Sequence, residues 1–412
     1  MSPAAFDRLP YEILEAIASL LDSKDLICFT LLNKACYSAA LPHIFSSIGF
    51  RINEQDKLKR DISGLVRALE RADAFKHVRN LEIFGEWRTD DNPLVKFPGE
   101  NEYQPWVANH HVAGQGGETV QLRWQADFAQ SSKTYEDDAV WQPLADLLVR
   151  LPRLEDFIYE CPHQLSLCLL ERLHLSLPTC RLHLRCFRLR SLLDGKALDS
   201  YEQQLATSPN LSTIFTSFEL FYEDYFADFG YKTIVKVASG VAPNLKEVRV
   251  NNFVTSNAVS RHACRAEFRP TPRKYEFPDK VSPKGALEVL ELHGYEHGRG
   301  SIDIPCIELW DASTDFARLR RLRLGQVEEE ILLWATKIGP FRDLTALTFC
   351  AWPRHHRRLH HTTIPAFLQS LPALKELEMI GDFCRHDLDA VITASGSLRR
   401  LHPDSEVAPD VR

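Results

Sequence analysis

No stretch of this 412-residue chain approaches the eighteen or so consecutive apolar residues that a membrane helix needs, so no membrane span is expected. There is no Cys-x-x-Cys pair either. The ten cysteines are scattered through positions 28, 36, 161, 168, 180, 186, 264, 306, 350 and 384. That scatter predicts reduced, mostly buried thiols in the cytoplasm or nucleus, with no disulfide framework and no metal. An excess of positive charge is also missing. The formal net charge of −7 argues against a protein that coats nucleic acid. Met1 to Arg8 lacks the basic-then-apolar order of a secretory signal, so none is expected. Catalytic signatures are absent as well: no G-x-S-x-G, no H-E-x-x-H, and no Cys set beside a paired His in a recognisable motif. Gly114-Gln115-Gly116-Gly117 follows no strand, opens no helix and lacks the Lys of a phosphate loop. The expectation is a non-enzyme with no catalytic residue and no cofactor.

What is present is ordinary for a globular chain: 44% apolar and 25% charged residues, at a length sufficient for one large or two to three common domains. The organising stretch runs from Leu9 to Ile48. Pro10 stands where a helix begins, with Glu12 in the first turn on the favourable side of the dipole. Ile13, Leu14, Ile17, Leu20 and Leu21 then recur at helical spacing as one apolar stripe. Asp22-Ser23-Lys24-Asp25 interrupts the stripe and supplies caps for a second short helix holding Leu26, Ile27, Phe29, Leu31 and Leu32. A third helix is expected from about Tyr37 to Phe45, bent or ended by Pro42. Forty residues cannot bury this much apolar surface alone. The bundle must pack on the rest of the chain or offer a face to a partner.

In order, these residues resemble an F-box: Leu9-Pro10, then Glu12-Ile13-Leu14, Ile17, Leu20, Asp25-Leu26 and a third helix. The ending Ala39 to Ile48 resembles the form common in fungal F-box proteins. The resemblance covers about a tenth of the chain, and one departure is the Trp absent from Leu32 to Tyr37. It implies docking on a Skp-type linker of a cullin-based ubiquitin ligase, with Leu9, Pro10, Ile13, Leu14, Ile17, Leu20 and Leu26 forming the linker-binding face. The alternative for the same helices is a cap that shields the first unit of a repeat domain.

Beyond the bundle, Asp61 to Ala74 reads as a helix with Ile62, Leu65, Val66 and Leu69 on one face, and Val78 to Ile83 as a short strand. Residues 86–138 are rich in turn chemistry and read as a partly disordered insertion, with Trp87, Trp106 and Trp124 as anchors. From 139 onward a repeat emerges, L-x-x-[LIVF]-x-[LVMF]. Its clear copies are Leu245-Val248-Val250, Leu287-Leu290-Leu292, Leu319-Leu322-Leu324, Leu344-Leu347-Phe349 and Leu374-Leu377-Met379. Weaker copies are Leu154-Phe157-Tyr159, Leu184-Phe187-Leu189, Leu211-Ile214-Thr216 and a truncated Leu398-Leu401. Helical stretches such as Glu328 to Ile338 and Ile364 to Leu371 lie between copies. Strand plus helix at this spacing is the leucine-rich-repeat period, in which each unit leaves an apolar face that only its neighbour covers. The asparagine expected after the core positions is replaced by Phe253, Tyr295, Val327, Trp352 and Asp382, which predicts an irregular stack.

The expected fold is therefore mixed α/β (α+β): a three-helix bundle in 1–50, a connecting helix and first strand in 51–85, the insertion in 86–138, and an irregular leucine-rich-repeat solenoid with a parallel sheet in 139–412. Alternate strand residues would line its open side. They are Asp156 and Glu160, then Glu247, Arg249, Glu291, His293, Arg321, Arg323, Glu376 and Glu378, the set expected to bind a substrate protein. The Arg321/Arg323 pair would suit an acidic or phosphorylated peptide. Two basic stretches offer other chemistry. His356 and His360 sit four apart in a loop without a carboxylate or cysteine beside them, which reads as a solvated loop and not a zinc site. Arg261 to Lys284 carries seven cations among prolines and reads as an insertion with ordinary charges. The functional expectation is a substrate-recognition adaptor of a Skp–cullin–F-box ligase. Its alternatives are a repeat scaffold outside ubiquitin transfer and, more remotely, a phosphate- or RNA-binding module.

Overall fold

The computed structural model describes residues 9–52, 55–85, 138–161, 164–187, 189, 191, 198–217, 229–253, 284–294, 302, 304–351, 363–381 and 400–404. Three helices come first: α1 (Tyr11–Leu20), α2 (Ser23–Thr30) and α3 (Lys34–Ile44). Pro10 is the residue before the first helical one, in extended geometry, and its carbonyl accepts from the N–H groups of Ile13 and Leu14. Asp22 caps α2 by accepting from Lys24 N at 2.9 Å and Asp25 N at 2.8 Å, and Asn33 caps α3 by accepting from Cys36 N at 2.8 Å. Pro42 lies inside the last turn of α3, which continues to Ile44. It has no N–H for Ser38 O, and the Tyr11 hydroxyl stands 3.5 Å from that carbonyl.

Strands and helices then alternate, with two exceptions. After α3 come β1 (Ser47–Ile52), α4 (Gln55–Ala72), β2 (Asn80–Gly85), α5 (Asp138–Val149), β3 (Asp156–Glu160), α6 (Leu167–Ser176), β4 (Arg181–Leu184), α7 (Ser200–Ala206) and β5 (Leu211–Ser217). Then follow α8 (Phe229–Lys236), β6 (Glu247–Phe253), β7 (Val289–Gly294), α9 (Ile304–Ser313), β8 (Arg321–Gln326), α10 (Glu329–Ile338), β9 (Ala346–Ala351), α11 (Thr363–Ser370), β10 (Glu376–Gly381) and β11 (Arg400–Asp404). No helix is described between β6 and β7 or between β10 and β11. The strands form one sheet in strict sequence order, every pairing is parallel, and the sheet is open, with β1 and β11 at its edges.

Period-2 burial explains the sheet. Each copy whose side chains are described puts all three of its motif positions inside, from Val78-Leu81-Ile83 through Leu245-Val248-Val250 to Leu374-Leu377-Met379. Those residues join the buried sides of α4 to α11 in one continuous core, with Trp141, Trp310, Phe316 and Phe349 among its largest members. The interior is aromatic in places: Trp141 packs on Tyr159 at 5.8 Å between ring centroids, and Phe349 meets Phe367 edge-on at 6.1 Å.

Three expectations change. The sheet starts at Ser47, so the boundary placed at residue 50 falls within β1; Ser47 to Ile52 shows only two fully buried side chains, Phe50 and Ile52, too few for a period to declare itself. Helix α4 begins at Gln55, six residues earlier than Asp61, and adds Leu58 to the expected buried face. The copy expected at Leu184-Phe187-Leu189 is instead a strand at Arg181–Leu184, with Leu182 and Leu184 inward. Thr179 occupies the place of its leading Leu, which hid the register. The insertion at 86–138 up to Asp138, the basic stretch 261–283, and His356 and His360 lie outside the described residues.

The turns before the strands are satisfied by the backbone itself. Backbone bonds run from unit to unit, as in Lys246 N to Ser212 O (2.9 Å), Glu288 N to Lys246 O (2.8 Å) and Arg320 N to Glu288 O (2.8 Å). At one turn a side chain takes over. Asn210, buried directly before β5, donates to Leu177 O at 3.0 Å and Cys180 O at 2.7 Å. Asn210→Ala leaves both carbonyls without that donor and is expected to lower the unfolding free energy by about 2 kcal/mol, measured by urea denaturation.

Candidate functional site

Two surfaces stand out. The first is on the bundle. Its small core consists of Leu14, Ala18, Leu26, Phe29, Cys36, Ala39 and Ala40, with Ile17, Leu21 and Ile44 packed against it, and this core is separate from that of the sheet. The α1 stripe is thus divided. Leu14 (1% exposed) and Leu26 face inward and hold the helices together, so they do not present themselves to a partner as expected. Ile17 is half-buried. Leu9, Pro10, Ile13 and Leu20 (85% exposed) are outside, joined by Tyr11, Ile27, Leu31 (80% exposed), Leu32 and Tyr37, which the helical stripe alone did not single out. Eight large apolar side chains exposed within thirty residues far exceed the scattered singles of an ordinary surface.

The second surface is the sheet face that the helices leave open. Parallel register puts its alternates on common rungs. Glu82, Ile158, His183, Thr213, Glu247, Val289, Arg321, Ala346 and Glu376 form one row across β2 to β10. In the next row Arg249, Glu291, Arg323, Thr348 and Glu378 stand side by side. Glu247, Arg249, Glu291, Arg321, Arg323, Glu376 and Glu378 therefore share one face as expected. His293 is in β7, but its side chain lies outside the described ones.

No family model and no curated protein matches this chain.

The charges on this face largely serve one another. Arg249 pairs with Glu247 and reaches Glu291 at 3.7 Å. Arg321 reaches Glu376 at 3.5 Å over the small Ala346. The Thr348 hydroxyl donates to Glu378 at 3.0 Å.

The other half of the face was legible only in part. Asp156 accepts a bidentate pair of hydrogen bonds from Arg181, both 2.7 Å, and a third from His183 Nε2 at 2.8 Å. Burial works against its charge, but these donors outweigh it and hold the carboxyl below the usual range. Arg185 Nη1 bridges two carboxylates, Glu82 at 2.9 Å and Glu160 at 3.0 Å. Their side chains are only 17% and 16% exposed. Burial raises the pKa of both, against the pull of Arg185, and Glu82 adds its own repulsion at Glu160. One guanidinium thus serves two sunken carboxylates. Arg181, His183 and Arg185 escaped the sequence analysis because β4 was placed in the wrong register, and the alternation Arg181-His183-Arg185 around Leu182 and Leu184 was the available signal; Glu82 lies in the strand expected at Val78 to Ile83 but was not singled out there.

Among the described residues no group of three or more His, Cys, Asp and Glu is placed to hold a metal, and no helix is long and apolar enough to cross a membrane.

Proposed function

We propose that this chain is a substrate-binding adaptor of a Skp–cullin–F-box ubiquitin ligase. The observation that carries this reading is the bundle: three short helices with a core of their own, bearing Leu9, Tyr11, Ile13, Leu20, Ile27 and Leu31 in the open. A cap would spend those side chains on the adjoining core, and here the two cores stay apart. The residues resemble the F-box order, and this many large apolar side chains left in the open mark a protein-binding surface. In this role the linker covers α1 and α2, and a cullin joins through the linker. The target protein is held on the polar face of the sheet, at Glu247, Arg249, Arg323, Glu376 and Glu378. The chain itself performs no bond chemistry. It raises the local concentration of its target beside a ubiquitin-charged enzyme. A cytoplasmic or nuclear location follows from that role.

The test is co-purification of the full chain with a Skp-type linker. The variant Ile13→Glu with Leu20→Lys alters two exposed side chains and places each new charge favourably for the α1 dipole, so the fold is retained. Wild type is expected to form a stable complex and the variant to lose more than tenfold in affinity. A folded wild-type chain with no affinity for the linker removes the reading. Pull-down of a cullin through the linker then separates a ligase adaptor from a scaffold that borrows the linker alone.

A further inference from the structure

His183 occupies the middle of a hydrogen-bonded chain that crosses five strands. Its Nε2 lies 2.8 Å from Asp156 Oδ1 on β3, and its Nδ1 lies 2.9 Å from the Thr213 hydroxyl on β5. Thr213 Oγ1 is in turn 3.4 Å from Glu247 Oε2 on β6, and Glu247 holds Arg249, which reaches Glu291 on β7. The proton inventory of this chain is strict. Asp156 is an ionised acceptor, since Arg181 donates to both of its oxygens, so His183 Nε2, 2.8 Å from Oδ1, carries a hydrogen. In the neutral ring Nδ1 must then accept, and the single Thr213 hydrogen is committed to it. Glu247 receives nothing from Thr213 in that state, which agrees with the longer 3.4 Å separation.

We propose that His183 is a proton-operated switch in the open sheet face: when the ring takes a second proton from solvent, Nδ1 becomes a donor, the Thr213 hydroxyl reverses, and its hydrogen turns from His183 to Glu247. Every atom of the relay is already in place, and one hydroxyl rotation completes it. The face then has two donor arrangements, and any partner that contacts Asp156 or Glu247 binds with a linked proton. This holds independently of the adaptor reading. The groups facing His183 are Asp156 and Ile158 from β3, Arg181 and Arg185 on either side of it along its own chain, Thr213 from β5 and Glu247 from β6. Burial resists the imidazolium first and Arg181 adds to that, while Asp156 and Glu247 favour it. The balance lies below the ordinary histidine value, so the switch operates in acid. The side chain remains 22% exposed, and solvent can deliver the proton.

The test is a pH titration of the full chain carrying isotope-labelled histidine rings and glutamate side chains, with His183→Gln and Glu247→Gln identifying the two signals. The neutral ring is expected to show its hydrogen on Nε2, its midpoint is expected below 6.5, and the Glu247 carboxyl carbon is expected to shift at the same midpoint. Thr213→Val should abolish that shift at Glu247 while His183 still titrates, and Thr213→Ser should restore it. A neutral ring protonated on Nδ1, or a Glu247 signal that does not move as His183 titrates, overturns the proposal. So does a shift that persists in folded Thr213→Val. The first two observations use the unmodified chain, so the proposal can be refuted even if Thr213→Val fails to fold.

Discussion

Arg185→Met is expected to lower the unfolding free energy by about 3–5 kcal/mol at pH 7.5, the range for stripping the partner from a buried charge. The reason is the two-to-one arrangement at this site. Arg185 Nη1 alone touches Glu82 and Glu160, and both carboxylates are sunk in the sheet face. Methionine keeps the length of the stem and removes the cation, leaving two neighbouring carboxylates in partial burial with no counter-ion. The pH dependence has a definite sign. Both groups already have folded pKa values above those of the unfolded chain, burial being the main cause. The folded state therefore binds protons more readily than the unfolded one, and stability falls as pH rises from about 4.5 through the raised folded values. Loss of Arg185 raises those values further. The deficit of the variant should be full at pH 7.5 and shrink clearly by about pH 5.5, where the carboxyls neutralise. Urea unfolding of wild type and variant at both pH values measures this, and histidine contributions common to the two proteins cancel. Adding Glu160→Gln to Arg185→Met should recover part of the loss at pH 7.5. An equal deficit at both pH values would show that the cost comes from lost packing instead.

The second large effect is confined to the bundle. Leu14→Ala is expected to cost about 2–5 kcal/mol, because it empties a site at the centre of a core with only seven buried members. That core has little surplus with which to relax or compensate. Leu20→Ala, six residues further along the same helix, should change stability by less than about 0.5 kcal/mol, since its side chain is in solvent. Because the bundle core is separate from that of the sheet, the damage from Leu14→Ala should stay local. Hydrogen exchange is expected to accelerate across Tyr11–Ile44 while β3 to β10 keep their protection. Exchange that accelerates equally in both regions would mean that bundle and sheet unfold as one unit. The contrast also bears on any binding experiment. A linker complex lost on changing Leu14 or Leu26 reports an unfolded bundle, whereas loss on changing Ile13 or Leu20 reports the contact itself.

Much of the architecture could be read from residue order. Leu245-Val248-Val250 and its sister copies among the described side chains are buried at every position because a strand sends alternate side chains to opposite faces, and only one face can be packed. The copies recur at intervals short enough to hold one helix, so a parallel sheet in sequence order follows from short connections. Asp22 and Asn33 cap the helices they precede for reasons local to a few atoms. Strand β4 shows where this legibility stops. One Thr in place of a Leu at position 179 moved the expected strand by several residues and concealed Arg181, His183 and Arg185 together.

By itself, then, the sequence determined which residues are apolar on which period, and hence the stack of strands and helices and the existence of a polar face. Tertiary structure alone decided who meets whom on that face. Glu82 and Arg185 are 103 residues apart, His183 and Asp156 are 27 apart, and Arg321 finds Glu376 across an intervening strand. Those meetings depend on the register of neighbouring strands, and connections of unequal length do not encode register in any local pattern. The same holds for the bundle: helical spacing placed Leu14 and Leu20 on one stripe, but only the packing of α2 and α3 fixed which part of the stripe is inside.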